Sequence, residues 1–163
     1  MSRKDEVFNE LVNQQPTDIK EWIIEINKFL TDGGCSSKLD AKNTFTFTHK
    51  KSKKMVCKIN INKSGCTVRP NTNNDKFSLD FPEIMLKEMR GGRGCGVCAE
   101  NNPDFIHCKH GGPFKMDYKN ENFERCRYFG FNFDISSAEV RGVLAKWVKQ
   151  EFLFLQNQAN NDN

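Results

Sequence analysis

Cysteine and histidine residues cluster in the second half of the chain. Four of the seven cysteines and two of the three histidines lie between residues 95 and 126. In chain order they are Cys95, Cys98, His107, Cys108, His110 and Cys126. Thiolate and imidazole are the ligands that zinc takes in structural sites. The cluster constrains the fold more than any other feature, because one metal ion would tie together a segment too small to fold alone.

The spacing of the four cysteines is C-x2-C-x9-C-x17-C, which favours a closed structural zinc site. Cys95 and Cys98 are spaced to chelate one ion from a single tight turn. Cys108 and Cys126 complete a set of four thiolates, with His110 as the substitute ligand. Cationic neighbours such as Arg125 would lower the thiol pKa values and offset the charge of the zinc–thiolate centre.

Two other interpretations of the cluster remain open. The cysteines are free or buried thiols in one, and Cys95 and Cys98 form a thiol redox pair in the other. Catalytic zinc requires a nearby general acid or base, and Glu100 and Asp104 match no known spacing for that role. Because the chain carries no catalytic signature, the sequence favours a protein that is not an enzyme.

Composition indicates one domain in a reducing compartment. The chain has 163 residues, of which 37% are hydrophobic and 14 are phenylalanine. No apolar run reaches the ~20 residues that span a bilayer, and the charged N-terminus lacks a signal-peptide pattern. We therefore expect a cytoplasmic protein that does not enter membranes. An odd number of cysteines also argues against a complete disulfide framework.

A basic stretch without acidic residues runs from Ala41 to Asn74. Its candidate sites for nucleic acid or another anion are Lys50, Lys51, Lys53, Lys54 and Lys58. Four of these lysines would lie on one hairpin tip, and Phe45 and Phe47 would stack on bases if exposed. The alternative is a solvated turn beside phenylalanines that face the core.

Apolar periodicity predicts an α+β fold. Residues 17–32 and 138–155 show helical spacing, and residues 44–48, 55–62 and 66–69 alternate as in strands. Residues 114–118 and 123–135 predict two further strands, and a short helix begins at Pro82. We expect an antiparallel sheet of about five strands, two long amphipathic helices on one of its faces, and a Cys-rich loop.

The predicted organisation has three parts. An N-terminal extension, 1–16, contains a short amphipathic helix. A single α+β domain, 17–155, includes the Cys-rich metal loop 91–126, and a disordered tail covers 156–163. The stripe of Phe129, Phe131 and Phe133 packs on the last helix or, alternatively, lines an apolar ligand pocket.

Part of the chain resembles a set of uncharacterised bacterial cysteine-rich small proteins. The resemblance covers residues 17–150. It is carried by the segments 95–98, 108–110 and 123–131, and by the strands 56–61 and 67–69. It implies that the cysteines act together, and it implies no activity.

Three functions follow from the sequence. The first is a zinc-binding, non-catalytic binding or regulatory module. The second is a nucleic-acid or anion binder that uses hairpin 49–54, and the third is a thiol-based redox enzyme or small-ligand sensor. The apolar run Phe152–Leu155 is compatible with a monomer or a weak homodimer.

Overall fold

The computed structural model describes residues 2–74, 78–90, 113–126 and 130–161. Its helices are α1 (Arg3–Asn13), α2 (Thr17–Asp32), α3 (Glu83–Arg90) and α4 (Ala138–Asn161). Its strands are β1 (Cys35–Ala41), β2 (Thr44–His49), β3 (Met55–Asn62), β4 (Gly65–Pro70), β5 (Pro113–Tyr118), β6 (Glu121–Cys126) and β7 (Phe133–Asp134).

The strands form two antiparallel sheets. The larger sheet has the order β1-β2-β3-β4-β7, and β5 pairs with β6 in a separate two-stranded sheet. The expected fold class is confirmed: the protein is α+β with a five-stranded antiparallel sheet.

One face of the larger sheet forms the core. Phe45 and Phe47 on β2, Ile59 on β3 and Val68 on β4 are almost completely buried. The apolar stripes of α2 and α4 belong to the same core, and their members are Ile19, Trp22, Ile23, Ile26 and Leu30 on α2 and Val140, Leu144, Trp147, Val148, Phe152 and Leu155 on α4. Alternation of apolar and polar residues along the strands produces this arrangement, because successive side chains point to opposite faces of a sheet.

Strand β1 is an element that the sequence analysis missed. Its sequence, CSSKLDA, contains two serines and two charged residues and gives no apolar alternation. It pairs with β2, so that Cys35 lies opposite His49 and Leu39 opposite Phe45. A register shift between Leu39 and Ala41, together with Lys38 and Asp40, protects this edge of the sheet from further strand pairing.

The predicted strand 123–135 is wrong as a single element. Strand β6 ends at Cys126 and pairs with β5, whereas β7 begins at Phe133 and pairs with β4. Between them Gly130 has a φ of 59°, in the left-handed region that a strand does not contain. The alternating sequence 123–135 therefore contributes strands to two different sheets.

The described chain is helical near both ends, and α1 lies within the extension 1–16, where the sequence predicts a short helix. Helix α1 begins with a capping box formed by Ser2 and Asp5. Helix α4 continues to Asn161, so residues 156–161 of the predicted tail 156–163 are helical. The amide oxygens of Gln158 and Asn160 accept hydrogen bonds from lysines of the β2–β3 hairpin, which stabilises these last turns.

Part of the predicted Cys-rich metal loop 91–126 belongs to the two-stranded sheet. Residues 113–126 form the β5–β6 hairpin, and residues 91–112 lie outside the described residues. In the described ranges, no helix is both long and apolar enough to cross a membrane.

Candidate functional site

Cys126 is the predicted zinc ligand that the structure describes. It is the last residue of β6 and is 3% exposed. Its partner across the two-stranded sheet is Pro113, the first residue of β5. The other predicted ligands, Cys95, Cys98, Cys108 and the substitute His110, lie outside the described residues.

The backbone that follows Cys126 is held by specific contacts. The N–H of Gly130 donates to the Cys126 carbonyl at 2.8 Å. The Arg125 Nε donates to the Gly130 carbonyl at 2.8 Å, and the Arg125 guanidinium lies 5.7 Å from the centre of the Phe131 ring. Arg125 therefore places a positive charge next in sequence to Cys126. Its aliphatic stem and its contact with the Phe131 ring cover an apolar surface.

Helix α3 and strand β5 anchor the two ends of the segment 91–112 on the same strand. Arg90, at the end of α3, makes two hydrogen bonds to the Glu121 carboxylate, at 2.6 and 2.7 Å. Arg90 lowers the pKa of the Glu121 carboxyl through these bonds. Glu121 is the first residue of β6, and Cys126, opposite Pro113, is the last. Both ends of the segment are therefore fixed along a six-residue strand.

The other cysteines that the structure describes are core residues. Cys35, Cys57 and Cys66 are buried and unpaired. Burial raises the pKa of the Cys35 thiol to about 11 and that of Cys66 to about 12, and it raises the pKa of Cys57 further. Such thiols stay protonated and unreactive near neutral pH. In the described part of the chain, no three His, Cys, Asp or Glu residues converge in a way that could hold a metal ion.

His49 stabilises a turn. It is 3% exposed, and its Nδ1 lies 3.0 Å from the Ser52 Oγ and accepts from the Ser52 N–H at 3.3 Å. Its ring packs edge-on against Phe152. Burial and the nearby Lys51 lower the pKa of the imidazole, which keeps the ring neutral.

Four predicted anion-binding lysines do share one surface. Lys50, Lys51, Lys53 and Lys54 are exposed on the turn between β2 and β3, which we call the basic hairpin. The turn is closed by two backbone hydrogen bonds of 2.9 Å between His49 and residues 53 and 54. Lys53 has a φ of 58°, a value that this tight turn imposes.

Two of these lysines also contact α4. The Lys51 Nζ lies 3.4 Å from the Asn160 Oδ1, and the Lys54 Nζ lies 3.3 Å from the Gln158 Oε1. The last turn of α4 contains no basic residue. The basic hairpin therefore supplies the positive charge that stabilises the negative end of the helix.

Lys58 is not part of the basic hairpin. It lies in the middle of β3, on the polar face of the sheet, and its Nζ forms an ion pair with Asp40 at 3.0 Å. The hypothesis that Phe45 and Phe47 stack on bases is wrong, because they are 1% and 0% exposed and face the core. The polar face instead carries Thr44 and Asn60, which are joined by a 2.8 Å hydrogen bond.

Two phenylalanines of the predicted stripe pack against Trp147 of α4. The rings of Phe131 and Phe133 lie 6.4 and 5.9 Å from that of Trp147, and both residues are 1% exposed. Phe129, the third member of the predicted stripe, lies outside the described residues.

A buried carboxylate on α4 escaped the sequence analysis. Glu151 is 0% exposed and accepts hydrogen bonds from the backbone N–H groups of Asn73 and Asn74, at 2.9 and 3.1 Å. Burial raises the pKa of its carboxyl. The signal was present in the sequence, because Glu151 lies four residues from both Trp147 and Leu155 and so falls on the apolar stripe of the helix.

Comparisons with known proteins find no matching protein family, no matching curated protein and no matching solved structure.

Proposed function

We propose that this chain is a small zinc-binding protein that acts as a non-catalytic binding or regulatory module. Its structural zinc ion would be held by Cys95, Cys98, Cys108 and Cys126, with His110 as the substitute ligand. A cytoplasmic, reducing compartment suits this role, because the thiols stay available to the metal.

The observation that carries this proposal is the position of Cys126. Its thiol is buried at the end of β6, opposite the residue at which the chain leaves the segment 91–112. Cys108 precedes Pro113 by five residues, and a chain of that length spans up to about 17 Å. Cys108 is therefore within reach of Cys126 across the sheet.

Two further features support the metal site. Cys35, Cys57 and Cys66 lie on strands of the larger sheet and belong to the hydrophobic core, whereas Cys126 ends a strand of the separate two-stranded sheet. Arg125, adjacent to Cys126, provides positive charge near the proposed thiolates. A bound ion would cross-link the β5–β6 hairpin to the segment 91–112 that precedes it. Structural zinc adds its binding free energy to the free energy of folding.

Native mass spectrometry with elemental analysis for zinc tests the proposal. We expect one zinc ion per chain, loss of zinc in Cys126→Ser, and retained zinc in the matched control Cys66→Ser. The control removes an equally buried thiol that takes no part in the proposed site. A metal-free protein with all seven thiols free would refute the proposal and favour thiol chemistry at Cys95 and Cys98.

We propose, as a second candidate function, that the basic hairpin binds phosphate groups of nucleic acid or another polyanion. In the described ranges, none of its four lysines forms an ion pair with an acidic side chain. Four exposed positive charges on one turn attract an anionic partner. Because Phe45 and Phe47 are buried, such binding would read phosphates and not bases.

The test is the salt dependence of binding to mixed-sequence RNA and DNA oligonucleotides. For single strands, the logarithm of the affinity should fall with the logarithm of salt by about 0.7 for each phosphate contacted. Lys50→Glu with Lys53→Glu should abolish most of the binding without changing zinc content, whereas Lys28→Glu on α2 should have little effect. Binding that is absent, or that ignores salt, would contradict this function.

A further inference from the structure

A cavity of about 330 Å³ opens between α1, α2, β1 and β2. Pockets that bind small molecules begin at about 300 Å³. The cavity therefore has the volume for a ligand with a single ring. Its lining is divided into an apolar part and a polar part.

The apolar part is built from three side chains. Phe45, which is 1% exposed, forms the floor, and the ring of Phe8 packs edge-on against it at 5.2 Å between centroids. Ile24 on α2 forms a wall and is 43% exposed. A ring inserted here would contact two aromatic edges and cover the isoleucine.

Lys4 is the one cation among the described residues of the polar part, and Asp5 lines the cavity beside it. The Lys4 Nζ donates to the Ser37 Oγ at 2.9 Å and lies 3.4 Å from the Asp5 carboxylate. That carboxylate also accepts hydrogen bonds from Ser2 in the capping box, so it is committed to the start of α1. An ammonium has three donors, and these contacts leave one of them for a ligand.

Asn27 adds neutral hydrogen-bonding groups to the same wall. It lines the cavity from α2, and within the described part of the chain its side-chain amide has no hydrogen-bond partner. An amide N–H and an ammonium that face one cavity together match the acceptor pattern of a carboxylate.

We propose that this cavity is a binding site for a small aromatic carboxylate. The ring lies against Phe8, Phe45 and Ile24, and the carboxylate accepts hydrogen bonds from Lys4 and Asn27. Among the residues that the structure describes, the lining of the site includes neither Cys126 nor a lysine of the basic hairpin. The binding-site proposal can therefore be tested separately from both proposed functions.

The probe for this site is 3-phenylpropanoate, titrated into the full-length, isotope-labelled protein and followed by amide NMR shifts. We expect saturable shifts at residues of α1, α2 and β1 that surround the cavity. The uncharged control, 3-phenylpropanol, should bind the same place about fivefold more weakly, since it lacks the exposed ion pair. Absence of saturable shifts, or shifts centred elsewhere, would overturn the proposal.

Two lysine variants separate specific recognition from general attraction. Lys4→Ala should weaken binding of the carboxylate to the level of the alcohol and leave binding of the alcohol unchanged. The matched control is Lys28→Ala, which removes the same charge from an exposed position of α2 outside the cavity. Equal effects of the two variants, or loss of alcohol binding in Lys4→Ala, would overturn the assigned role of Lys4.

Discussion

At the scale of single residues, Gly130 determines the shape of the chain next to the proposed metal ligand. Its φ of 59° lies in the left-handed region, and a Cβ added there would stand 2.6 Å from the Arg69 Nε. Both the backbone conformation and the close approach of Arg69 require the absence of a side chain. The 2.8 Å hydrogen bond from Gly130 to the Cys126 carbonyl depends on the same conformation.

We predict that Gly130→Ala destabilises the protein by about 2 kcal/mol, because an L-residue in the left-handed region costs roughly 1–2 kcal/mol and Arg69 must also move. Urea unfolding measures the change. The matched control is Gly142→Ala in α4, where an added Cβ meets nothing within 4 Å. That variant should gain about 0.5–1 kcal/mol in stability, as alanine replaces glycine in a helix. Equal stability of the two variants would contradict the assigned role of Gly130.

At the scale of elements, local patterns predicted what depends on local sequence. Alternation marked β2, β3 and β4, and helical spacing marked α2 and α4, because a buried face selects apolar residues at a fixed period. Strand β1 was missed since its place is decided by pairing with β2, and its own residues are mostly polar. The break between β6 and β7 was missed for a related reason: alternation does not reveal which sheet a strand joins.

The candidate sites show the same division at the scale of elements. The four lysines of the basic hairpin follow from a turn sequence, so their clustering was predictable. The position of Lys58 away from the basic hairpin was not predictable, because the β2–β3 register places it beside Asp40. The cavity gave no signal in the sequence, since it arises from the way α1 and α2 pack over Phe45.

At the scale of the whole molecule, Glu151 links the last helix to the loop after β4. Its carboxylate accepts from the backbone of Asn73 and Asn74, and the side chain of Asn73 also donates to the Met55 carbonyl at 3.0 Å on β3. One buried acid therefore holds together three parts of the chain that are distant in sequence. A negative charge on the buried Glu151 side chain costs free energy, so burial raises the pKa of the Glu151 carboxyl above its ordinary value of 4.5.

This raised pKa makes global stability depend on pH in a definite direction. Below pH 4.5 the carboxyl is protonated in both the folded and unfolded states, and its contribution is fully present. As the pH rises from there through the folded-state pKa, the unfolded chain ionises first, and that contribution is lost.

We predict that, between about pH 4 and pH 8, the wild type loses unfolding free energy relative to Glu151→Gln, whose side chain does not titrate. Urea unfolding of both proteins across this range measures the difference, and other titrating groups cancel in the comparison. The exposed control Glu21→Gln should show no comparable trend, and a difference between wild type and Glu151→Gln that stays flat or grows in favour of the wild type would contradict a raised pKa at Glu151.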